Sequence, residues 1–373
     1  MKSRATSVGE LRTILDGVNV VSLGEATHGS QEIFAAKRNL VAALVRDLGY
    51  GLVAVEGTAA GGEAIDEYVL GCGDRASVID ALRSNWITST EELLATIEWM
   101  RTHNEWLAKN SAHDHRVRFA GLDPQGNAPA LDHLAAYLRR VAPETEDGAQ
   151  PLLDFLRAED LKANRFERTS VSAEQVAGIR KLIAFLVVNE GLFVRRTTAH
   201  DYARALRSAR ILAQAAEFNS GLPDAITRDA AMAENFFRVA GTRKAVIWTH
   251  NAHASANDRG SYKPLGALLR AAYGSGYFAF ATAFGRGSFR AQVPGSVPPD
   301  LRAFTLPPAP AGTVDAMLAA SGTTMIDLRH GPAPESRVAA WLAAPQRFQP
   351  FVLANDFDGI IFIPATTAAR ALP

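Results

Sequence analysis

The sequence of 373 residues has a single cysteine, Cys72, and it also lacks other features that mark secreted or membrane proteins. One cysteine excludes an internal disulfide and a zinc site built from several thiolates. No stretch of about 18 apolar residues is present to span a membrane. The opening segment MKSRATSVGELRTILDG lacks the apolar core of a signal peptide. We therefore expect a cytoplasmic protein without membrane association.

An excess of charge of either sign is also missing, because 39 lysines and arginines balance 39 aspartates and glutamates. A nucleic-acid-binding protein usually carries a basic excess, since neutralising phosphates supplies much of its affinity. We therefore expect a small-molecule substrate or ligand and no nucleic-acid partner. A protein partner is left open by the composition.

Several catalytic and cofactor-binding motifs are missing as well. The sequence has no GxSxG, no HExxH, no phosphate-binding loop ending in GK[ST], and no GxGxxG after a predicted strand. These absences argue against a common serine hydrolase, a zinc metalloprotease, an ATPase and a dehydrogenase. We expect no cofactor.

The parts that flank the middle of the chain alternate short apolar runs with segments of helical spacing, which predicts an α/β fold. The apolar runs predict strands at 18–23, 51–55, 117–122, 244–249, 277–284, 325–328 and 359–363. Strand and helix in alternation indicate a mostly parallel sheet covered by helices. A proline-rich loop is predicted at 294–310.

The middle of the chain has apolar residues at three- and four-residue steps and no alternating stretch, which predicts helices alone. We interpret it as a large helical insertion that forms a lobe over the active-site cleft. The predicted organisation is therefore residues 1–127 as the first part of the α/β domain, 128–240 as the helical lobe, and 241–373 as the second part of the α/β domain.

Ionisable residues follow four of the predicted strands. Glu25 and His28 come after the first strand, Glu56 after the second, Asp123 after the third, and His250 after the strand that follows the helical region. In open α/β sheets, ligands bind beyond the carboxyl ends of the strands. Each residue alone could be a cap or a loop hydrogen-bonder, but ionisable residues after four strands at one edge predict an active site.

The chemistry that this set suggests is general acid–base catalysis. A histidine transfers protons near neutral pH, and neighbouring carboxylates orient it and raise its basicity. Two histidines and two glutamates can also bind a metal ion. We predict a metal-free site, because the sequence has neither HExxH nor a cysteine cluster.

The sequence resembles the erythromycin esterase family over nearly its whole length. The resemblance lies in six segments that follow in order: LGEATHGSQEIFAAKRNLVAALVRDLGYGLVAVEG, STEELLATIEWMRTHN, RFAGLDPQ, RDAAMAENF, KAVIWTHNAHAS and FDGIIFIPA. The combination GEATHG…VEG…HNAH is specific. The resemblance implies an α/β domain with a helical lobe over a deep cleft, and metal-independent hydrolysis of an ester or lactone by histidine-activated water.

Residue by residue, the resemblance implies that His28 is the general base and Glu25 a neighbouring acid. Glu25 would hold the imidazole in one tautomer. Glu56, which we expect on the strand next to that of Glu25, would stabilise the imidazolium. His250 would complete the catalytic set, with His253 close by.

One position departs from the family pattern, in which an arginine commonly follows the motif histidine by nine residues. Here that position is Lys37, followed by Arg38. Lysine cannot form the planar two-pronged contact of arginine, so either Arg38 takes over or the bound anion differs. The predicted substrate-binding residues are Lys37, Arg38, Trp86, Asp123, Gln125 and His253.

Three functions stay open on the sequence. The first is hydrolysis of an ester or lactone of a specialised metabolite, in antibiotic resistance or biosynthesis. The second is a base-driven intramolecular displacement or cyclisation on the same scaffold. The third is a ligand-sequestering protein, which the clustered acid–base groups disfavour because clustering like charges brings a pure binder no benefit.

Overall fold

A computed structural model gives the fold of the chain. It describes residues 8–110, 115–164, 169–260, 262–293, 296, 300–321, 325–329, 338–341, 348–351 and 353–372. The architecture is an α/β fold with a mixed, mostly parallel sheet of eight strands and many helices, including a helical region in the middle of the chain. The predicted fold class is confirmed.

Ten strands lie within the described residues. They are β1 Val20–Leu23, β2 Leu52–Thr58, β3 Arg118–Asp123, β4 Ala245–Trp248, β5 Tyr277–Gln292, β6 Leu301–Leu306, β7 Met325–Asp327, β8 Val338–Trp341, β9 Phe348–Phe351 and β10 Gly359–Thr366. The main sheet has the order β3-β2-β4-β1-β5-β10-β7, and β6 pairs with β5. Only β7 and β6 join it in antiparallel pairs, and β8 and β9 form a separate hairpin-like pair.

The helices of the described residues cover both faces of this sheet and form the middle region. They are α1 Val8–Ile14, α2 Gln31–Leu48, α3 Gly62–Val69, α4 Arg75–Arg83, α5 Glu91–Lys109, α6 Ala128–Val141, α7 Pro143–Asn164, α8 Ala173–Val188, α9 Glu190–Arg196, α10 Ala199–Ser220, α11 Arg228–Ala240, α12 Asn251–Ala254, α13 Leu265–Tyr273, α14 Val314–Ser321 and α15 Leu353–Asp356. None of these helices has the length and apolar character needed to cross a membrane.

Hydroxyl side chains determine where several of these helices begin. In α2, α5, α10 and α11 the residue before the helix accepts a hydrogen bond from a backbone N–H three positions later; these residues are Ser30, Thr90, Thr198 and Thr227. Such a cap satisfies one of the amide groups that a helix start leaves without a partner. The first residues of α2 and α11 therefore have defined positions, which matters because both helices carry residues of the site described below.

The core has one apolar cluster on each face of the sheet. In β1, Val21 and Leu23 point into one cluster and Val20 into the other. Strands buried on both faces read as continuous apolar runs, which explains why the sequence predicted them. A third apolar cluster lies among α6 to α10 and gives the helical region a core of its own.

Two expectations about the strands are wrong. Part of the predicted loop at 294–310 is the strand β6, which pairs with an extension of β5 beyond the predicted end. Its residues are mostly exposed or half-buried, so the strand has no apolar run to reveal it. The strands next to β1 are β4 and β5 and not β2, so Glu56 reaches the site from two strands away.

A buried asparagine joins α5 to the edge of the sheet, and its substitution tests how much this connection stabilises the fold. Asn104 donates to the carbonyls of Val69 and Val117 and accepts from the amide of Val117. Asn104→Ala leaves these buried groups without partners, so we expect a loss of about 2–4 kcal/mol in the free energy of unfolding, measured by urea denaturation.

The matched control is Asn110→Ala, because Asn110 is exposed and bonds a single carbonyl, that of Trp106. We expect this variant to lose no more than about 0.5 kcal/mol. Equal losses in the two variants would show that the buried asparagine does not anchor the sheet edge.

Candidate active site

The four strands that carry the predicted acid–base residues are neighbours in the sheet. β3, β2, β4 and β1 lie side by side and run parallel, so their carboxyl ends meet at one edge. The structure brings the side chains of Glu25, His28, Glu56 and His250 together at this edge. His28 contacts Glu25 directly, lies within 3.9 Å of Glu56, and has its ring centroid 5.0 Å from that of His250.

His28 lies on a loop that leaves β1, and two glycines allow this loop to pack tightly. A Cβ on Gly24 would lie 2.4 Å from the side chain of Asn251, and one on Gly29 would lie 1.7 Å from the carbonyl oxygen of Arg290. No side chain fits at such distances, so both positions require glycine. The tight packing fixes the backbone on either side of His28.

Glu25 orients His28 and is itself neutralised by a buried lysine. One oxygen of Glu25 lies 2.6 Å from Nδ1 of His28, and the other lies 2.5 Å from Nζ of Lys37. Lys37 also donates to the carbonyl of Thr249 and lies 4.4 Å over the ring of Trp248. Burial lowers the pKa of Lys37 to about 8 and Glu25 opposes this shift, so the lysine stays mostly charged at neutral pH.

The contact with Glu25 determines which nitrogen of His28 is free. A carboxylate only accepts hydrogen bonds, so the neutral imidazole carries its proton on Nδ1 and donates it to Glu25. The lone pair is then on Nε2, which is the nitrogen on the side of Glu56. His28 therefore presents a base to the space beyond the strand ends.

Glu56 lies where the pairing of β2 with β3 is irregular. The register between the two strands shifts between Val55 and Thr58, and such bulges redirect a side chain near active sites. One oxygen of Glu56 accepts from the hydroxyl of Thr249 at 2.7 Å and from the amide of His250 at 2.8 Å. The other oxygen is 3.0 Å from Arg228.

Arg228 is the main site residue that the sequence reasoning missed. It is the first residue of α11, and it pairs with Asp123 through two hydrogen bonds of 3.1 and 2.6 Å as well as with Glu56. Burial opposes its charge, but Asp123 and Glu56 outweigh burial and raise its pKa. The residue lay in a segment, RDAAMAENF, that supported the family resemblance. It escaped notice because it does not follow a strand.

His253 lies between two carboxylates. Its Nδ1 is 2.7 Å from Asp229 and its Nε2 is 3.3 Å from Glu56. Burial opposes protonation, but Glu56 and Asp229 together raise the pKa of His253 to about 10. With Nε2 protonated, the 3.2 Å approach of Arg228 to this nitrogen is a contact between two cations, which the shared Glu56 carboxylate offsets.

His250 has the opposite protonation behaviour. It precedes α12, and its Nδ1 accepts a hydrogen bond from the amide of Ala252. Burial, and next the neighbouring His28, hold the pKa of His250 well below its ordinary value. The ring is therefore neutral with its proton on Nε2, and this buried nitrogen has no hydrogen-bond partner among the described residues.

A cavity of about 210 Å³ opens beside this cluster. Its lining among the described residues is His28, Glu56, Ser84, Asn85, Trp86, Ile87, Gln125, Ala163 and Arg228. The ring of Trp86 meets that of His28 edge-on, with centroids 5.8 Å apart. Of the residues predicted to bind substrate, Trp86 and Gln125 line the cavity.

The other predicted substrate-binding residues are placed differently. Lys37 and Asp123 are fully buried, with no exposed surface, and both are engaged by oppositely charged partners. Arg38 is exposed on α2 and is not among the described residues that line the cavity. The expected contacts of these three with substrate do not fit this geometry. His253 contacts Glu56 and Asp229, and it is not among the described residues that line the cavity.

This geometry explains why a lysine can stand at position 37, where the family pattern commonly has an arginine. Lys37 has a single carboxylate partner, Glu25, and its ammonium group is enclosed by Trp248 and a backbone carbonyl. A point charge suits one carboxylate oxygen in such a space. Lys37 therefore acts on His28 through Glu25.

Metal ligation has one geometrically possible location among the described residues, and it lies outside this cluster. Glu63, Glu67 and His200 have ligand atoms within 4.8 Å of one another. Both oxygens of Glu63 are already held by Arg204 and Arg207, and these positive groups compete with a cation. We assign no metal to this group.

Comparison of the sequence with protein families identifies the family of this chain. The family model described as erythromycin esterase matches residues 45–366, which is most of the chain. The chain belongs to the erythromycin esterase family. This membership places it among erythromycin esterase-like hydrolases.

Relatives in the family are distant. The YbfO protein of Bacillus subtilis (strain 168) is 22% identical over 403 residues, which cover 95% of this chain and 85% of that protein. The erythromycin esterase type II of Escherichia coli is 30% identical over 113 residues, which cover 30% of this chain and 25% of that protein.

Solved structures match over the full length. A protein from Bacillus cereus has a TM-score of 0.77 at 20% identity, with 100% of this chain and 95% of that chain covered. A succinoglycan biosynthesis protein has a TM-score of 0.75 at 19% identity, covering 100% and 94%. A mutant of the erythromycin esterase EreC in its open conformation has a TM-score of 0.72 at 16% identity, covering 100% and 97%. These likenesses show the fold.

The protonation of His253 predicts a pH-dependent stability of this erythromycin esterase-like chain. Its pKa rises from 6.5 to about 10 on folding, so its contribution is fully present below about pH 6.5 and is lost as the pH rises towards 10. We expect the stability advantage of the native chain over His253→Asn to shrink by a few kcal/mol between pH 6 and pH 9.5, measured by urea denaturation at each pH.

The control for this measurement is His115→Asn, because His115 is exposed. The stability of this variant should stay within about 0.5 kcal/mol of the native chain, because substitutions at exposed positions change stability little. An advantage over His253→Asn that stays constant, or grows with pH, would mean that His253 is neutral in the folded state.

Proposed function

We propose that this protein hydrolyses a small ester or lactone by general-base catalysis at His28, without a metal ion. The observation that carries the proposal is the charge balance of the cluster. Four buried carboxylates, those of Glu25, Glu56, Asp123 and Asp229, meet two side chains that are cations at neutral pH, Lys37 and Arg228. This leaves two negative charges.

The histidines reduce this surplus in two steps. Protonated His253 brings the sum to one negative charge, and a proton on Nε2 of His28 brings it to zero. The imidazolium that forms when His28 takes a proton in the reaction therefore lies beside carboxylates that stabilise it. The cluster is therefore suited to withdraw one proton from a molecule in the cavity, and His28 is the member with a free lone pair.

The reaction that follows from this arrangement has two proton transfers. Nε2 of His28 takes a proton from water while the water oxygen attacks the carbonyl carbon of the ester. The tetrahedral intermediate collapses with cleavage of the bond to the alcohol oxygen, and the Nε2 proton of His28 passes to this leaving oxygen. Acid and alcohol leave, and His28 is again neutral.

The intermediate needs a partner for its negative oxygen, and His250 supplies it in this proposal. Its Nε2–H is buried, uncharged and without a partner among the described residues, and its ring lies beside that of His28. A donor that is fixed before the reaction stabilises developing charge without reorganisation. Arg228 is among the described residues that line the cavity and His250 is not, so in this proposal Arg228 meets the oxyanion from the cavity wall and His250 stabilises it from beside His28.

The tests of this proposal are a substitution and an isotope measurement. His28→Asn keeps a polar side chain of similar size but removes the base. We expect kcat to fall at least about a hundredfold, with KM and the thermal stability little changed. In oxygen-18 water the native enzyme should place the label in the acid product.

The control for this substitution is His133→Asn, because His133 lies in the helical region and bonds Ser208 outside the cluster. It should keep native turnover. Near-native turnover by His28→Asn would move the base elsewhere, with His250 the first alternative. An unlabelled product that has lost a leaving group would indicate cyclisation or elimination. Activity lost on chelation and restored by zinc would overturn the metal-free mechanism.

The size of the cavity limits the substrate of the proposed reaction. Its volume of about 210 Å³ is below the roughly 300–1,000 Å³ that encloses drug-sized ligands. Trp86 and Ile87, from the loop between α4 and α5, form part of its wall. A small-ring lactone or a short ester fits this space, whereas a macrolide would have to remain largely outside it.

We expect small-ring lactones to be hydrolysed with a kcat/KM at least about tenfold higher than that for macrolide lactones. Trp86→Ala should narrow this ratio, because it removes a large part of the wall and leaves His28 in place. The measurement is steady-state kinetics on a series of lactones of increasing size. A native enzyme that prefers the macrolide would contradict the size limit.

A further inference from the structure

A second and larger cavity lies away from the catalytic cluster. Its volume is about 380 Å³, and it lies between α3 and the edge strand β3 on one side and α10 and α11 on the other. None of the described residues that line it lines the catalytic cavity. The groove therefore belongs to a different part of the molecule, where the helical region meets the edge of the sheet.

Arginine dominates the ionisable residues of this groove. Five arginines line it, namely Arg118, Arg204, Arg207, Arg238 and Arg243, against two acids, Glu63 and Asp66. The whole chain has equal numbers of basic and acidic residues. The surplus in the groove is thus a local concentration of positive charge.

The two acids account for three of the arginines. Arg118 holds Asp66 with both Nε and Nη2, and Asp66 also accepts from the amide of Phe119. Arg204 and Arg207 both bond Glu63. The bonds to Glu63 connect α10 to α3, and the bonds to Asp66 connect β3 to α3.

The remaining arginines are poorly neutralised. Arg238 has a contact of 3.6 Å with Glu234, an exposed pair on the same helix, and such pairs contribute little. Burial, and next the neighbouring Arg238, lower the pKa of Arg210. No carboxylate of the described residues is within ion-pair distance of Arg243 in the structure.

We propose that this groove binds a small organic molecule that carries a phosphate group. Arg238 and Arg243 would hold the phosphate, because planar guanidinium groups match phosphate oxygens with paired hydrogen bonds. Leu52, Phe119, Ile211 and Val239 also line the groove and would contact the apolar part of the ligand. The volume is in the range of sites for such molecules.

The groove is connected to the active site through α11. This helix begins with Arg228, which holds Glu56 and Asp123 in the catalytic cluster, and its last turns carry Arg238 and Val239 into the groove. A ligand bound between α10 and α11 would therefore contact the same helix that carries the catalytic arginine. This proposal does not depend on the reaction proposed above.

The experiment is isothermal titration of the full chain with AMP, inorganic pyrophosphate and adenosine at low and high salt. AMP and pyrophosphate should bind, and their affinity should fall as the salt concentration rises. Adenosine, which lacks the phosphate, should bind at least about tenfold more weakly than AMP. The double variant Arg238→Gln/Arg243→Gln should weaken AMP binding at least about tenfold.

Two further variants assign the binding to this groove. His28→Asn should bind AMP as the native chain does, which separates the groove from the catalytic cavity. Arg302→Gln removes an exposed arginine of β6 that pairs with Asp300, and it should also bind normally. The proposal is overturned if neither phosphate compound binds at millimolar concentration, if adenosine binds as well as AMP, or if the double variant binds like the native chain.

Discussion

The arrangement of the site depends above all on the buried carboxylate of Glu56 and the contacts that it makes. It accepts hydrogen bonds from Thr249 and from the amide of His250, and it pairs with Arg228 and His253. Burial opposes its charge, but His253, His28 and Arg228 outweigh burial and hold the pKa of Glu56 well below its ordinary value. One side chain on β2 therefore ties β4, α11 and α12 together. Without it, Arg228 and His253 would each keep one carboxylate partner, Asp123 and Asp229, but would lose the carboxylate that lies between them.

The two histidines after β4 differ in protonation because their neighbours in space differ. His250 and His253 lie three residues apart, yet burial beside His28 keeps the first neutral, while two carboxylates keep the second charged. A neutral ring with a free Nε2–H can donate to a developing oxyanion, and a charged ring can stabilise the carboxylate that organises the site. The difference arises from neighbours that come from distant segments, Asp229 on α11 and Glu56 on β2.

The sequence predicted much of the fold because the central strands are buried on both faces and therefore form continuous apolar runs. It missed β6, whose mostly exposed side chains follow no such pattern, and it misjudged the neighbour of β1, because apolar runs carry no information about strand order. The residues at strand ends could be predicted by the same logic. Arg228 could not, since it begins a helix and becomes part of the site only when α11 packs against β3.

The sequence by itself determined the α/β class, the family resemblance, and the positions of Glu25, His28, Glu56 and His250 after strands of one sheet, because these depend on local patterns and on residue types at strand ends. The tertiary structure decided how each of them is charged and which ones face the cavity. Lys37 illustrates the difference: its type was evident, but its role depends on complete burial against Glu25 and Trp248. Protonation and access are set by neighbours brought together in space, and a linear sequence does not specify those neighbours.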